Sequence, residues 1–96
     1  MYVLIFTEDF NHTYKKLIKG NEEKEKKFKK TILLLQQEPF YPSLKTHKAN
    51  TKNYGKKWSS WITGDLRIIW DFDEEQNVTI LLLTIGSHSG SHKEYK

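Results

Sequence analysis

The sequence contains no cysteine. That excludes disulfides, thiolate zinc sites and a cysteine nucleophile, and it fits a reducing compartment. No apolar run approaches the roughly 20 residues that span a bilayer. The apolar start, Met1 to Phe6, is short, has no basic leader and runs into Glu8 and Asp9. It is therefore not read as a signal peptide, and a cytoplasmic protein with no membrane partner is expected. There is no glycine-rich phosphate loop, no Gly-x-Ser-x-Gly and no close carboxylate pair suited to a glycosidase. No repeat emerges at periods of roughly 20 to 50 residues. Among the four histidines only His88 and His92 have a suggestive spacing, in an irregular stretch, so neither a metal site nor a cofactor is expected.

What is present describes one small domain. The chain has 96 residues, enough for one core. Aromatic residues make up 14%, which argues against disorder. Charged residues make up 29%, and they account for a mean hydropathy of −0.73. The formal net charge is +4 and the pI about 9.2. Such a balance suits nucleic acid, an anionic membrane or an acidic protein, and cannot choose among them.

Tyr2 to Phe6 is β-branched and aromatic and reads as a buried strand. Thr7 is positioned to cap a helix whose first turn carries Glu8 and Asp9. Phe10, Tyr14, Leu17 and Ile18 form its apolar stripe, and Gly20 ends it. Asn21 caps a second helix, about Glu22 to Gln37, stopped by Pro39. Its early lysines read as a solvated face with i,i+4 pairs, with a nucleic-acid patch as the alternative. Phe40 to Tyr54 reads as a long basic loop, of the kind that tends to carry function. Three strands follow: Trp58 to Thr63, Leu66 to Phe72 and Val78 to Ile85. A Gly64-Asp65 turn and the polar loop Asp73 to Asn77 join them. The third strand, the most apolar, is expected inside the sheet. The order β-α-α-β-β-β predicts an α+β fold: a mostly antiparallel four-stranded sheet with two helices packed on it. Residues 1–88 are expected to form the single domain, with 89–96 as a flexible tail.

Three positions, with a set of aromatics beside them, carry candidate chemistry. Arg67 interrupts an apolar strand, sharing a face with Ile69 while Leu66, Ile68 and Trp70 take the other. It either pairs with Asp65, Asp71 or Asp73, or presents a guanidinium to a phosphate. His88 follows the last strand, where a histidine can donate or accept a proton. His47 stands between Lys45 and Lys48 in the basic loop. Tyr54, Trp58 and Trp61 interleave with these cations, a mixture suited to single-stranded RNA. Trp58 and Trp61 are separated by an odd number, so they face opposite sides of a regular strand.

The segments Pro42-Ser43-Leu44-Lys45-Thr46-His47-Lys48, Trp58-Ser59-Ser60, Gly64-Asp65-Leu66-Arg67-Ile68-Ile69-Trp70 and Leu82-Leu83-Thr84-Ile85-Gly86-Ser87-His88 together resemble the RelE/ParE toxin superfamily, in its RelE/YafQ-like mRNA interferase branch. The resemblance implies the toxin of a type II toxin–antitoxin system, a metal-independent endoribonuclease that cuts mRNA in the ribosomal A site. The RNA's own 2′-hydroxyl attacks the phosphorus. Arg67 would stabilise the phosphorane, His88 would act as general acid, and His47 and Asp65 match acid/base positions. Lys45, Lys48, Lys52, Lys57 and Trp61 would contact RNA. Where the family carries an aromatic after the final histidine, this chain has Ser89-Gly90-Ser91-His92, and His92 or Tyr95 could substitute. The implied partners are a cognate antitoxin, mRNA and the ribosome. A ParE-like gyrase inhibitor and a catalytically inactive RNA- or protein-binding module of the same fold are the alternatives.

Overall fold

Alternation of apolar side chains divides the sheet into two faces, and the helices cover one of them. The structure, a computed structural model, describes residues 1–87. The expected tail, 89–96, and the positions His88, His92 and Tyr95 lie outside the described residues. In chain order the elements are β1 (Val3–Phe6), α1 (Glu8–Leu17), α2 (Glu22–Gln37), a 3-10 turn (Pro42–Leu44), β2 (His47–Thr51), β3 (Gly55–Trp61), β4 (Leu66–Phe72) and β5 (Thr79–Ser87). They form one five-stranded sheet in the order β1-β5-β4-β3-β2. The pair β1–β5 is parallel and the other three pairs are antiparallel.

The helix starts follow from their caps. Thr7 Oγ1 accepts the backbone N–H of Phe10 at 3.2 Å, and Asn21 Oδ1 accepts that of Lys24 at 3.0 Å. Each satisfies one of the orphan donors of a first turn. The Thr7 hydroxyl also donates to the Leu82 carbonyl at 2.7 Å, which ties the start of α1 to β5. Phe10, Ile18 and Leu35 from the helical segment then pack with Leu66, Ile68, Trp70, Ile80, Leu82 and Ile85 in a single core.

One α1 side chain carries a pH consequence. The Tyr14 hydroxyl donates to Glu25 Oε2 at 3.4 Å. Burial, then the Glu25 charge, then this hydrogen bond hold the Tyr14 phenol above its ordinary value of 10.0. The folded state thus favours the protonated phenol. Its contribution is present below pH 10 and is lost as pH rises through the raised value. Urea midpoints measured across this alkaline range should fall more steeply for wild type than for Tyr14→Phe.

The expected α+β architecture holds, with a fifth strand in addition. Residues 47–51 were expected in a loop and instead form β2. The stretch His-Lys-Ala-Asn-Thr has neither apolar alternation nor β-branched density, so its sequence carries no strand signal. It pairs only with β3, through a turn in which Tyr54 N donates to Thr51 Oγ1 and Thr51 Oγ1 donates to the Gly55 carbonyl. Gly55 has φ +74°, a conformation glycine adopts without cost. A polar, lysine-bearing strand at a sheet edge also resists pairing with other chains. β3 starts three residues earlier than expected and ends at Trp61, leaving residues 62–65 as the connection to β4. β5 is paired on both sides, as its apolar sequence suggests.

Candidate active site

A buried polar chain fixes the start of β2. The indole Nε1 of Trp70, which is fully buried, donates to Ser60 Oγ at 2.8 Å. Ser60 Oγ lies 2.7 Å from Thr46 Oγ1, and Thr46 Oγ1 donates to the Pro39 carbonyl at 2.6 Å. Four segments (β4, β3, the residue before β2 and the end of the helical region) are tied together one residue ahead of His47. Ser60→Ala leaves the Trp70 N–H without its partner and should cost about 1–3 kcal/mol of stability. Chemical denaturation of the purified variant measures this directly.

Lys45 turns the chain toward the site. Its backbone is left-handed, φ 50° and ψ 38°, the only non-glycine residue of positive φ among the described residues. Such a conformation is uncommon outside glycine, asparagine and aspartate. Here it closes the 3-10 turn, with Lys45 N donating to the Pro42 carbonyl at 3.1 Å. It also brings the Lys45 carbonyl to His47 Nδ1 at 2.9 Å. A carbonyl oxygen only accepts, so Nδ1 carries the hydrogen. In the neutral ring Nε2 then holds the free lone pair. His47 itself is exposed.

Arg67 is 4% exposed. Its Nη1 donates to the Thr63 carbonyl at 2.7 Å and, more weakly, to the Leu66 carbonyl at 3.4 Å. None of the three carboxylates considered from the sequence pairs with it. Asp71 is bridged by Lys57 at 3.2 Å, Asp73 accepts the N–H groups of Glu75 and Gln76, and Asp65 Oδ2 accepts the Ser87 hydroxyl at 2.8 Å. The guanidinium instead lies 4.2 Å from the centre of the Trp61 ring. The Lys45 ammonium approaches the same ring at 4.6 Å. Trp61 and Arg67 are direct cross-strand partners, as are His47 and Ser59. His47, Ser59, Trp61 and Arg67 therefore share one side of the sheet, away from the core. By strand spacing, the His47 and Arg67 Cα atoms stand roughly 12 Å apart.

The remaining candidates divide. Trp58 lies on the core side, stacked on Trp70 at 6.0 Å, and Lys48 sits over its ring at 4.5 Å. Lys48 and His47 thus face opposite sides of β2. Lys52 occupies the β2–β3 turn, roughly 16 Å along the strand from His47. Lys57 shares the His47 side but is engaged by Asp71. Asp65 is exposed in the β3–β4 connection. Ser87, the residue before His88, pairs with Leu66, and Gly86 pairs with Arg67, so β5 carries the chain along the Arg67 strand up to that point.

Two positioning residues escape sequence reasoning. Thr63 supplies the carbonyl that holds Arg67, and its own hydroxyl oxygen accepts the N–H groups of Asp65 and Leu66. A threonine two residues before the aspartate of a turn is the signal that could have found it. Ser87 orients Asp65, and nothing in its local sequence distinguishes it from a flexible serine. Among the described residues no group of three His, Cys, Asp or Glu side chains is placed to hold a metal ion. No described helix is long and apolar enough to cross a membrane.

Comparison with known proteins decides the lineage. A family described as the bacterial toxin of a type II toxin–antitoxin system, YafQ, matches residues 2–93. The chain belongs to the YafQ toxin family. Solved structures agree on the fold. A copper-bound mutant toxin from Helicobacter pylori superposes with a TM-score of 0.68 at 22% identity, covering 92% of this chain and 96% of that one. A YoeB/ParE toxin from Agrobacterium tumefaciens gives 0.68 at 16% identity, covering 91% and 99%. A metal-bound toxin from Helicobacter pylori gives 0.66 at 22% identity, with coverage of 92% and 96%. No curated protein matches the chain. As a YafQ-family toxin of a type II system, the protein has an antitoxin as its implied partner.

Proposed function

We propose that this YafQ-family toxin is a cytoplasmic endoribonuclease that cleaves mRNA on the ribosome by attack of the RNA's own 2′-hydroxyl. The observation that carries the reading is a buried Arg67, free of any carboxylate partner among the described residues, on the same side of the sheet as a histidine whose Nδ1 is engaged by the Lys45 carbonyl, which leaves Nε2 to accept a proton. A buried guanidinium without a counter-ion is costly unless something negative arrives. A phosphodiester passing through a phosphorane supplies such a charge.

In this mechanism His47 Nε2 takes the proton from the 2′-hydroxyl. The O2′–P bond forms while the P–O5′ bond breaks. Arg67 stabilises the charge that develops on the phosphorane oxygens, where a preorganised donor is most effective. His88 is the proposed acid that protonates the departing O5′. Asp65, held by Ser87 in the adjoining turn, is proposed to support that proton transfer. Lys45 contacts phosphate near the cut, while Lys48 and Lys52 track RNA further away. Lys57 contributes less because Asp71 neutralises it. The products are a 2′,3′-cyclic phosphate and a 5′-hydroxyl, and these proton and phosphoryl transfers need no metal ion. The cognate antitoxin would silence the enzyme until released.

End-group analysis tests the chemistry. Wild-type toxin acting on ribosome-bound mRNA in the presence of EDTA should leave cyclic phosphate and 5′-hydroxyl ends. Fragments with 5′-phosphate ends, or cleavage abolished by EDTA on intact ribosomes, would overturn the mechanism.

A further inference from the structure

The two edges of the sheet differ in chemistry. β2, at one edge, is polar and carries Lys48. β1, at the other, reads Val-Leu-Ile-Phe, with no charge and no proline. An apolar edge strand is a template for another strand, which is why edges are usually blunted by charge or covered. We infer that the free edge of β1 takes one extended segment of the antitoxin, added as a sixth strand, with apolar residues against Val3 and Ile5 and a basic residue toward the acidic groove beside them. The inference rests on the antitoxin that the family implies and is independent of the nuclease reading.

The backbone of β1 defines the opening. Val3 N donates to the Val78 carbonyl at 2.8 Å, and Thr7 N to the Leu82 carbonyl at 3.2 Å. Alternate residues of a parallel pair bond the same neighbour, so the N–H and C=O groups of Leu4 and Phe6 point to the free edge. On either side of them the protein closes the edge itself. Tyr2 N donates to the Gln36 carbonyl at 2.8 Å, and Gln36 Nε2 donates to the Tyr2 carbonyl at 3.1 Å. Beyond the end of β1, Ile85 N donates to Thr13 Oγ1 of α1 at 2.9 Å. Between these closures the main-chain groups of Leu4 and Phe6 stand at strand spacing, and another extended backbone satisfies them together.

Side chains and charge specify the occupant. Leu4 packs on the core, so Val3 and Ile5 face away from it, 55% and 44% exposed. Met1, Phe6 and Val78 are exposed beside them. Clustered apolar exposure of this kind marks an interaction surface. Ile5 pairs with Leu81, and Leu81 and Leu83 line a groove with Asp71, Asp73, Glu74 and Glu75. Lys57 neutralises Asp71, while no ion pair among the described residues engages the other three acids. Such a groove repels RNA and attracts cationic side chains. β1 carries no cation, so a second copy of this chain laid edge to edge leaves these acids unmatched. A partner segment with apolar and basic residues matches both the strip and the groove.

Amide hydrogen exchange on the full chain, alone and in complex with its cognate antitoxin, is the test. In free toxin the Leu4 and Phe6 amides should exchange quickly and the bonded Thr7 amide slowly. In the complex the Leu4 and Phe6 amides should slow by about tenfold or more. Ile5→Lys, a change at an exposed side chain that leaves the core intact, should weaken antitoxin binding by about tenfold. Asn50→Lys, which adds the same charge on the β2 edge, should leave binding nearly unchanged. The double variant Glu74→Gln with Glu75→Gln should weaken binding and reduce its dependence on salt. Leu4 and Phe6 amides that exchange equally fast in free and bound toxin would overturn the proposal. So would protection already present in free toxin. Protection that rises with concentration assigns the edge to a second copy, and protection that does not assigns it to a segment of the same molecule. Cleavage of mRNA by wild type, scored alongside, keeps the two claims apart: a toxin that never cuts loses the nuclease reading and leaves the exchange result standing.

Discussion

Arg67→Ala is expected to lower the rate of mRNA cleavage by about 10²–10³, the loss of about 2.7–4 kcal/mol of transition-state stabilisation. The size follows from where the residue sits. It is 4% exposed, so its charge is little screened by water. Its hydrogen bonds go to the neutral carbonyls of Thr63 and Leu66, which leave the positive charge intact. Its fork is anchored on one side through Nη1, so the guanidinium needs no reorganisation when charge develops on the phosphorane. Arg67→Lys should recover only part of the loss, because an ammonium cannot make the same bidentate contact. Single-turnover cleavage on programmed ribosomes is the measurement. A rate within about threefold of wild type in Arg67→Ala would remove Arg67 from the chemistry. A circular dichroism melt of each variant separates lost rate from lost fold.

The fold was readable where local sequence and tertiary environment agree. The two caps, Thr7 and Asn21, and the stop at Pro39 set the helices as expected. Leu66 to Phe72 is the strand its alternation implies, with Arg67 and Trp70 on opposite sides. β2 was missed because its pairing is set by a turn and by β3, and its own residues are those of a solvated edge. The sidedness of the site was half legible. The odd separation of Trp58 and Trp61 places them on opposite faces, and the structure puts Trp58 on Trp70 and Trp61 on Arg67. Lys48 could not be assigned a side while its segment read as loop, and strand register turns it away from His47. What holds Arg67 was equally hidden. Charge alone nominates an aspartate, whereas the backbone of the β3–β4 connection brings the Thr63 carbonyl within reach. The histidine's tautomer depends on the left-handed Lys45, a backbone feature that a lysine in sequence does not announce.

His47→Ala is expected to slow cleavage by about 10²–10⁴, the usual contribution of a positioned general base. The Lys45 carbonyl at 2.9 Å fixes the ring and its tautomer, so the acceptor nitrogen is oriented before RNA arrives. His47→Gln keeps hydrogen-bonding capacity but has no basic nitrogen, and should be as slow as the alanine variant. The exposure of His47 makes its substitution nearly neutral for stability, within about 0.5 kcal/mol. Loss of rate without loss of fold is thus the expected signature. If His47 and Arg67 act in one step, the double variant should fall short of the product of the single losses. An unaltered rate in His47→Ala would transfer the base to another group and leave His47 as a surface residue.

The most direct test of the account is primer extension on a defined mRNA, with and without programmed ribosomes, using wild type beside Arg67→Ala and His47→Ala. Cuts within A-site codons are expected only when ribosomes are present, and both variants should lose them. Cuts of equal strength in all three proteins, or none from folded wild type, would contradict it.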